Sequence, residues 1–537
     1  IMSHLSKIFT SQKIDVPNRS GFDMSHENMG TLKVGTLTPI LCEEVLPNET
    51  YSIGSLMQVQ LPPMATNFYG RIDCRLEAFF VPNRIIWGGW QNYMTMPQNN
   101  PYGSPVVRPD TLPQILIPAT SEGIGLVKAG TLADYLGFKM PSDATGTAGT
   151  ISIMNALPFL AYHKIYDDWY RNTKIQKPVY VNKSTPDSTT PINMPWYSGT
   201  KTISQASFDF NDGVSILSLR QRNYAKDYFT TAALYPQANG STDGAQVDAP
   251  LDAGSGDTAT FTIAQLRQAN VLQRWLERNN IAGERYADQI KATWGIMPAD
   301  AIVDRSILLG STSFSVYNKS IMQNNASVDG STAVNPFDTV ATKYGDSMGL
   351  GQDSLVQSFT ATEHGHIIIL ASLVPHANYS TGVRRMFNRS KIGDFANPLL
   401  QGLGEQAIGI NELRGQAINS TTNGDTFGYQ QQYAEYKYHD DEVHGLLRDG
   451  QSLEPFALQR AFSYNTVPVL GTDFIQIKTT DIDQVGAVSS SISQYGAWYD
   501  CYISMKKVSP LSEYVIPTLG DMKNTHKEDV PYRGRQL

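Results

Sequence analysis

The sequence predicts an all-β fold, a single sandwich or barrel whose connecting loops are very long. The first observation is composition. Charged residues make up only 17% of the 537 residues, while glycine occurs 43 times and proline 29 times. Such a chain favours strands joined by ordered loops over helical bundles. The second observation is that strand-like segments occur near both ends of the chain, with few helical segments between them.

Four segments carry these strand signals. Residues 72–80 (IDCRLEAFF) alternate apolar and polar side chains, which predicts a strand with one buried face and one polar face. Residues 366–374 (HIIILASLV) do not alternate, so they predict a strand covered on both faces. Residues 427–438 and 497–505 are further candidates, and in 497–505 one face is shared by Tyr499, Cys501, Ile503 and Met505.

Residues 156–172 (ALPFLAYHKIYDDWYRN) predict an amphipathic helix, capped by Asn155 and tolerating Pro158 in its first turn. Residues spaced four apart form one broad apolar face: Ala161, Ile165 and Trp169, with Tyr162, Tyr166 and Tyr170. The opposite face carries polar side chains: His163, Lys164, Asp167, Asp168 and Arg171. Such an aromatic face is typical of a core or a subunit interface rather than a cofactor site.

A second helical region follows an exposed segment. Residues 237–260 are small, polar and acidic, which predicts a surface excursion. Residues 262–280 predict a helix with a capping box, in which three arginines line one face: Arg267, Arg274 and Arg278. A solvated or ion-paired face is the simpler interpretation of these arginines. A short helix is predicted after Gly283, with Tyr286, Ile290 and Trp294 four residues apart.

Charge and cysteine content exclude several classes of protein. The net charge of −8 argues against an overall basic surface for nucleic acid, so any contact with a polyanion is local or assisted by a basic partner. Cys42, Cys74 and Cys501 have neither zinc-site nor disulfide spacing, which predicts reduced thiols. The longest apolar run, 367–374, is too short to span a bilayer, and no secretion signal is recognisable.

Three short patterns are candidates for chemistry. Residues 345–349 (GDSMG) match the nucleophile-elbow pattern, with Ser347 as the nucleophile, although Gly351 stands where a helix would begin. His364 and His366 share one side of a strand and lie beside Glu363, so they are candidates for zinc or for structural histidines. The basic cluster in VRRMFNRSK predicts either phosphate contacts or inter-subunit ion pairs, through Arg384, Arg385, Arg389 and Lys391.

Long stretches of the chain resemble the major capsid proteins of microviruses, and most of all the gokushovirus branch. The similar segments occur in the family's order from near the start to residue 438. They include FDMSHENMGTLKVGTLTPI, RIDCRLEAFFVPNRIIWGGWQNYM, LPFLAYHKIYDDWYRN, RNYAKDYFTTA, LRQANVLQRWLERNNIAGERYADQI, TEHGHIIILASLVPHANYSTGVRRMFNRS, LGEQAI and FGYQQQYAEYKY.

The resemblance implies that residues 1–537 form one eight-stranded antiparallel jelly roll with large insertions containing a few helices. It implies a helical insertion at about 222–300 whose tip, 237–260, is a candidate threefold protrusion facing the host. The tip residues are Asn239, Gly240, Asp243, Asp248, Asp252 and Asp257. Under this interpretation the aromatic face of 156–172 packs within or between subunits.

The resemblance also implies function and partners. Sixty copies are expected to form a T=1 icosahedral shell around a circular single-stranded DNA genome, with no catalytic residue, metal or cofactor. The expected partners are a small basic DNA-packaging protein, an internal scaffolding protein, a pilot protein and a bacterial surface receptor, with no membrane insertion. The expected location is the virion, assembled in the host bacterial cytoplasm.

Two alternatives from the residues stay open at this point. One is a serine hydrolase that uses Ser347. The other is a monomeric β-sandwich protein that binds glycans.

Overall fold

A computed structural model describes residues 19–95, 112–141, 150–179, 202–204, 210–235, 285–322, 344–415, 425–486 and 491–513, apart from isolated positions within them, and six positions between 267 and 278. Its strands, in chain order, are β1 (Ser20–Asp23), β2 (His26–Leu32), β3 (Thr38–Val45), β4 (Thr50–Gln60), β5 (Ile72–Pro82), β6 (Gln114–Pro118), β7 (Thr150–Ile153), β8 (Thr202–Ser204), β9 (Ile307–Met322), β10 (Tyr344–Thr360), β11 (Gly365–Pro375), β12 (Asn378–Tyr379), β13 (Glu405–Gly409), β14 (Thr426–Gln431), β15 (Asp441–Glu442) and β16 (Ala497–Ser509).

The helices whose bounds the structure describes are short. They are α1 (Asn83–Ile86), α2 (Trp90–Thr95), α3 (Ser121–Gly125), α4 (Leu132–Tyr135), α5 (Leu157–Ile165), α6 (Tyr286–Trp294), α7 (Ile410–Arg414), α8 (Thr472–Ile475) and α9 (Ser491–Tyr495). A π-helical turn, Tyr166–Tyr170, continues α5. Single 3₁₀ turns occupy Arg385–Asn388, Ile392–Asp394, Pro398–Leu400, Ala434–Tyr436, Gly445–Leu447, Glu454–Phe456 and Asp483–Val485.

Eight strands form two antiparallel sheets with jelly-roll topology. Taken along the chain, the pairs are nested: β2 with β16, β3 with β11, β4 with β10 and β5 with β9. One sheet has the order β2-β16-β4-β10, and the other has the order β3-β11-β5-β9. The end of β9 also pairs with the start of β10, which joins the sheets at one edge. This nesting is a jelly roll, so the predicted fold class is confirmed.

The alternation of apolar and polar residues predicted which side chains point into the sandwich. These side chains fill the space between the two sheets. On β5, Ile72, Cys74 and Leu76 are buried and belong to the core shared by both sheets. On β16, the residues of the predicted face are also buried in that core: Tyr499, Cys501, Ile503 and Met505. Both strand predictions are therefore confirmed. Cys42, Cys74 and Cys501 are free thiols, as the sequence predicted.

A second core covers the outer face of the β3-β11-β5-β9 sheet. Strand β11 is buried at every position, which confirms that it is covered on both faces. Its Ile367 and Ile369 point into the sandwich, whereas Ile368 and Leu370 belong to the second core. Helix α5 supplies much of that core, which includes Leu160, Ala161, Tyr162, Ile165 and Tyr166. Trp169 and Tyr170 are half-buried at its margin.

Three of the five residues on the polar face predicted for residues 156–172 are buried in the subunit. His163 is fully buried, and Lys164 and Asp168 are also buried. The Lys164 ammonium donates to the Asp168 carboxylate at 2.8 Å. Arg220 donates through Nε to His163 Nδ1 at 2.8 Å, because the chain near residue 220 crosses this face of the helix. The Asn155 side chain accepts from Leu157 N at 3.0 Å, although the helix begins after Ala156.

A third core lies in the insertion between β11 and β16. It joins the β13–β14 hairpin to residues 228–232 and includes Phe229, Tyr379, Phe427 and Phe474. The prediction of one strand over 427–438 is only partly right, since β14 ends at Gln431. Tyr433 takes a left-handed conformation, with φ of 61°, and a 3₁₀ turn follows at 434–436. Such a residue interrupts an extended strand.

The helix predicted after Gly283 is confirmed as α6, which ends at Trp294 and is capped by Gly295 in the left-handed conformation. Within 262–280, the described positions 267, 270, 271, 274, 275 and 278 are helical and exposed. The capping-box residues Thr262 and Gln265 lie outside the described residues. The predicted tip, 237–260, with Asn239, Gly240, Asp243, Asp248, Asp252 and Asp257, also lies outside them, so it stays a prediction.

Candidate nucleic-acid interface

A cavity of about 850 Å³ lies against the outer face of the β3-β11-β5-β9 sheet. Arg75 of β5 and Val374 of β11 form its floor, since both belong to that sheet. The walls come from distant parts of the chain: 169–174 after α5, 222–233, Arg285 and Asp288 at α6, and 429–431 of β14. Because these segments belong to separate insertions, the cavity exists only after the whole subunit has folded.

The lining of this cavity is more cationic than the chain as a whole. It contains six basic side chains, Arg75, Arg171, Lys174, Arg222, Lys226 and Arg285, against three acidic ones, Asp227, Asp288 and Glu405. The whole chain, in contrast, carries a net charge of −8. A concave site concentrates the field of its charges. The cavity is therefore a local cationic site in an acidic chain and a candidate contact for a polyanion.

Two of these cations are already paired with carboxylates. Arg171 lies 2.5 Å from Asp167, and Arg222 lies 2.6 Å from Glu77. Arg222 also stacks on the Tyr170 ring, with Cζ 5.1 Å from the ring centre. These two arginines hold the cavity wall in place, because their guanidinium groups are fixed by protein partners.

Arg285 is held in this site by backbone groups rather than by a directly bonded carboxylate. Its guanidinium donates to two backbone carbonyls, Asp167 O at 2.5 Å and Arg171 O at 3.2 Å. Within the described part of the chain, no carboxylate lies within salt-bridge distance of it. Burial lowers the pKa of Arg285, and the nearby cation Arg171 lowers it further. The carboxylates of Asp167 and Asp168 act in the opposite direction and raise the pKa of Arg285. Because neither carboxylate is directly bonded to this half-buried guanidinium, an anionic oxygen bound here would stabilise it.

The predicted packing aromatics have protein partners at the cavity wall. The Trp169 ring lies 3.8 Å from Cζ of Arg305, and its Nε1 donates to Ser306 O at 3.1 Å. Tyr170 donates its hydroxyl to Glu77. Farther inside, the Tyr162 hydroxyl donates to Leu37 O at 2.7 Å, and Tyr166 is buried. Because protein groups contact these four rings, they act as packing residues in the subunit, as the sequence predicted, rather than as free stacking surfaces.

The basic cluster predicted from VRRMFNRSK is ion-paired within the chain. Arg384 lies 2.6 Å from Glu442, and Arg385 lies 3.0 Å from Glu412. Arg389 lies 3.3 Å from Glu435 and over the Tyr436 ring, 4.4 Å from its centre. Lys391 is exposed, and its backbone amide donates to Asp394. Carboxylates of the same subunit therefore balance three of the four cations.

The candidate catalytic pattern lies in a strand. Residues 345–349 belong to β10, whose backbone pairs with β9 and β4, and no helix follows Ser347. A nucleophile elbow needs a sharp turn from a strand into a helix. The hydrolase interpretation of Ser347 is therefore wrong, because the backbone it requires is replaced by seventeen residues of extended strand.

The candidate histidines do not form a metal site with their neighbours. His366 is fully buried in β11, while His364 packs edge-on against Trp90, with ring centres 5.5 Å apart. The carboxylate of Glu363 is paired with Arg84 at 3.2 Å. In the part of the chain that the structure describes, no cluster of three or more metal-ligating side chains occurs. No helix in that part is long and apolar enough to cross a membrane.

The nested jelly roll and its insertions match a known family over nearly the whole chain. A model of the capsid protein (F protein) family matches residues 10–258 and 237–519. The chain belongs to this family. It is 25% identical to the capsid protein VP1 of Chlamydia phage 1, over 93% of this chain and 96% of that protein. The resemblance to microvirus capsid proteins is confirmed.

Two further relatives are also named capsid protein VP1. That of Bdellovibrio phage phiMH2K is 25% identical over 86% of this chain and 88% of its own length. That of Spiroplasma virus 4 is 24% identical over 93% of this chain and 95% of its own length. This capsid protein is therefore a structural component of a virion that assembles with copies of itself, and it is not an enzyme.

The cavity residues of this capsid protein were missed by sequence reasoning. Arg171, Arg222 and Arg285 are separated by tens of residues, and none stands in a basic run. Arg222 and Lys226 do lie in RNYAKDYFTTA, and Arg171 lies in LPFLAYHKIYDDWYRN. Basic side chains inside these two aromatic segments were a usable signal, although the sequence does not show that the segments meet.

Proposed function

We propose that sixty copies of this capsid protein close a T=1 icosahedral shell around a circular single-stranded DNA genome, as in the gokushovirus branch. The observation that carries the proposal is the nested jelly roll in a chain that matches the capsid family from residue 10 to residue 519. Viral shells recurrently use this fold. Long insertions flank the two sheets and offer surfaces on which neighbouring copies pack.

The charge of the chain supports a model in which the subunit and other components share the neutralisation of the genome's phosphates. With a net charge of −8, the subunit leaves most phosphate neutralisation to counterions and to a small basic packaging protein. The cavity around Arg285 adds a local contact for the DNA backbone. A sequence-independent contact suits a coat that encloses a whole genome.

The remaining partners follow from the same proposal. An internal scaffolding protein and a pilot protein act during assembly in the host bacterial cytoplasm. The tip at 237–260 rises at the threefold axes and contacts a bacterial surface receptor. Lys391 is the member of the basic cluster best placed for phosphate, since carboxylates of the same chain pair with Arg384, Arg385 and Arg389.

Replacing cationic cavity residues is expected to weaken DNA binding in a salt-dependent way. For isolated subunits and an oligodeoxythymidine, Arg285→Ala and Lys226→Ala should each reduce the slope of log affinity against log salt concentration by roughly 0.7–1, because one phosphate contact is lost. Lys226 is exposed, so its removal leaves the fold intact. Lys291→Ala on α6, an exposed lysine outside the cavity lining, is the matched control.

The cavity proposal fails if both cavity variants keep the slope of the unmodified chain. It fails equally if Lys291→Ala reduces the slope as much as they do, since binding would then be spread over the surface.

A further inference from the structure

The segment that follows the basic cluster exposes five large apolar side chains within fourteen residues. The exposed fractions are 51% for Met386, 72% for Phe387, 93% for Ile392, 56% for Phe395 and 90% for Leu399. We call these five residues the 386–399 surface. Single exposed apolar residues are ordinary on soluble proteins, but a run of this density marks an interaction site.

The backbone beneath this surface is fixed by polar contacts. Three consecutive 3₁₀ turns form the segment, and the Asp394 carboxylate accepts from Ser390 N and Lys391 N, both at 2.8 Å. Asn397 Oδ1 accepts from Leu399 N at 3.0 Å. The Tyr433 hydroxyl donates to Gly393 O at 3.2 Å, which ties the segment to a buried residue that adjoins Ala434 of the third core. The apolar side chains are therefore presented outward on an ordered backbone.

The electrostatics of the segment favour a protein partner over a polyanion. Arg384, Arg385 and Arg389 are each paired with a glutamate of the same chain. A phosphate bound here would compete with these carboxylates and meet their repulsion. A protein surface can cover the apolar side chains while the ion pairs stay intact, so removing water from this face costs little.

We propose that the 386–399 surface is a contact between neighbouring copies of this capsid protein. The five side chains leave on the order of 500 Å² of apolar area exposed, which is a large part of the roughly 800 Å² that one partner buries in a stable interface. A shell subunit must bury such surfaces against its own copies, because a closed homo-oligomer uses the same patches repeatedly. The occupant is thus a second copy of the chain, and this inference rests on the shell proposed above.

Charge placed on the surface is expected to block assembly without unfolding the subunit. In the full-length chain, Ile392→Asp and Leu399→Asp should each raise the protein concentration needed for shell formation by about tenfold or more, since a buried apolar contact is replaced by a carboxylate. Ile392→Met and Leu399→Met keep the apolar surface and should assemble at the wild-type concentration. At 93% and 90% exposure, neither position contributes to the subunit core, so all four variants should melt at the wild-type temperature.

Normal assembly of both aspartate variants would overturn the inference, and so would an equal loss in the methionine variants. Normal assembly with reduced DNA content would also overturn it and assign the surface to the genome. A third result is that the wild-type chain forms only small oligomers and the aspartate variants are monomers. The shell proposal would then be wrong, but the 386–399 surface would still be a contact between copies.

Discussion

Replacing Glu77 by alanine is expected to lower the free energy of unfolding of the subunit by about 3–5 kcal/mol, the usual cost of leaving one member of a buried ion pair alone. Glu77 accepts from Arg222 through both oxygens, at 2.6 and 3.1 Å. Tyr170 also donates to it, and Arg222 reaches Ser372 at 2.9 Å. The two charged side chains are only 16% and 12% exposed, so solvent screens the stranded arginine poorly.

Urea unfolding of the isolated subunit measures this effect. Glu27→Ala on β2, which removes an exposed carboxylate, is the matched control and should change the free energy of unfolding by less than about 0.5 kcal/mol. The double variant Glu77→Leu/Arg222→Leu should lose less than the sum of the two single variants, because no unpaired charge remains. A Glu77→Ala variant as stable as the control would contradict the account of this pair.

Acid is expected to destabilise the subunit, and His366 is the residue whose contribution can be isolated. Full burial lowers the pKa of His366 to about 4, from an ordinary value of 6.5. Below pH 6.5 the unfolded chain gains a proton at this residue that the folded chain does not accept until about pH 4. The stability that His366 provides is therefore present above pH 6.5 and is lost as pH falls toward 4, by about 3 kcal/mol in all.

Replacing His366 by leucine should remove this pH dependence between 6.5 and 4. The free energy of unfolding is measured at half-unit steps as pH is lowered. Its slope against pH should be smaller in the variant than in the wild-type chain by up to about 1.4 kcal/mol per pH unit. Burial also lowers the pKa of His163 well below its ordinary value, so some acid sensitivity persists. Ile368→Val, at a buried position of the same strand, changes no titratable group and should keep the wild-type slope. Equal slopes for His366→Leu and the wild-type chain would rule the mechanism out.

The strands could be predicted where one physical cause dominates the pattern. Residues 72–76 alternate because one sheet face meets the sandwich core, and 366–374 do not alternate because helix α5 covers the other face of β11. Only the family resemblance predicted that the eight strands form nested pairs. Pairs such as β2 with β16 join residues more than 450 positions apart, and local periodicity carries no information at that separation.

The features that the sequence did not predict share one origin. The burial of the polar face of α5 could not be predicted locally, because Arg220, which contacts His163, lies 57 positions away. The cavity could not be predicted because Arg75, Arg171 and Arg285 meet only through tertiary folding. GDSMG matches the nucleophile-elbow pattern by chance, because so short a pattern does not specify its backbone, which here is the strand β10. The ion pairs of Arg384, Arg385 and Arg389 could not be predicted because the glutamates that pair with them lie far along the chain.

The most direct test of the account is the mass and shape of the assembled protein. Purified protein, co-expressed with its neighbouring small genes, is separated by sedimentation, and the fast fraction is imaged by electron microscopy. We expect uniform closed shells with a protein mass of about 3.6 MDa, which corresponds to sixty copies of 59.3 kDa. A species of 59.3 kDa under all conditions would contradict this expectation.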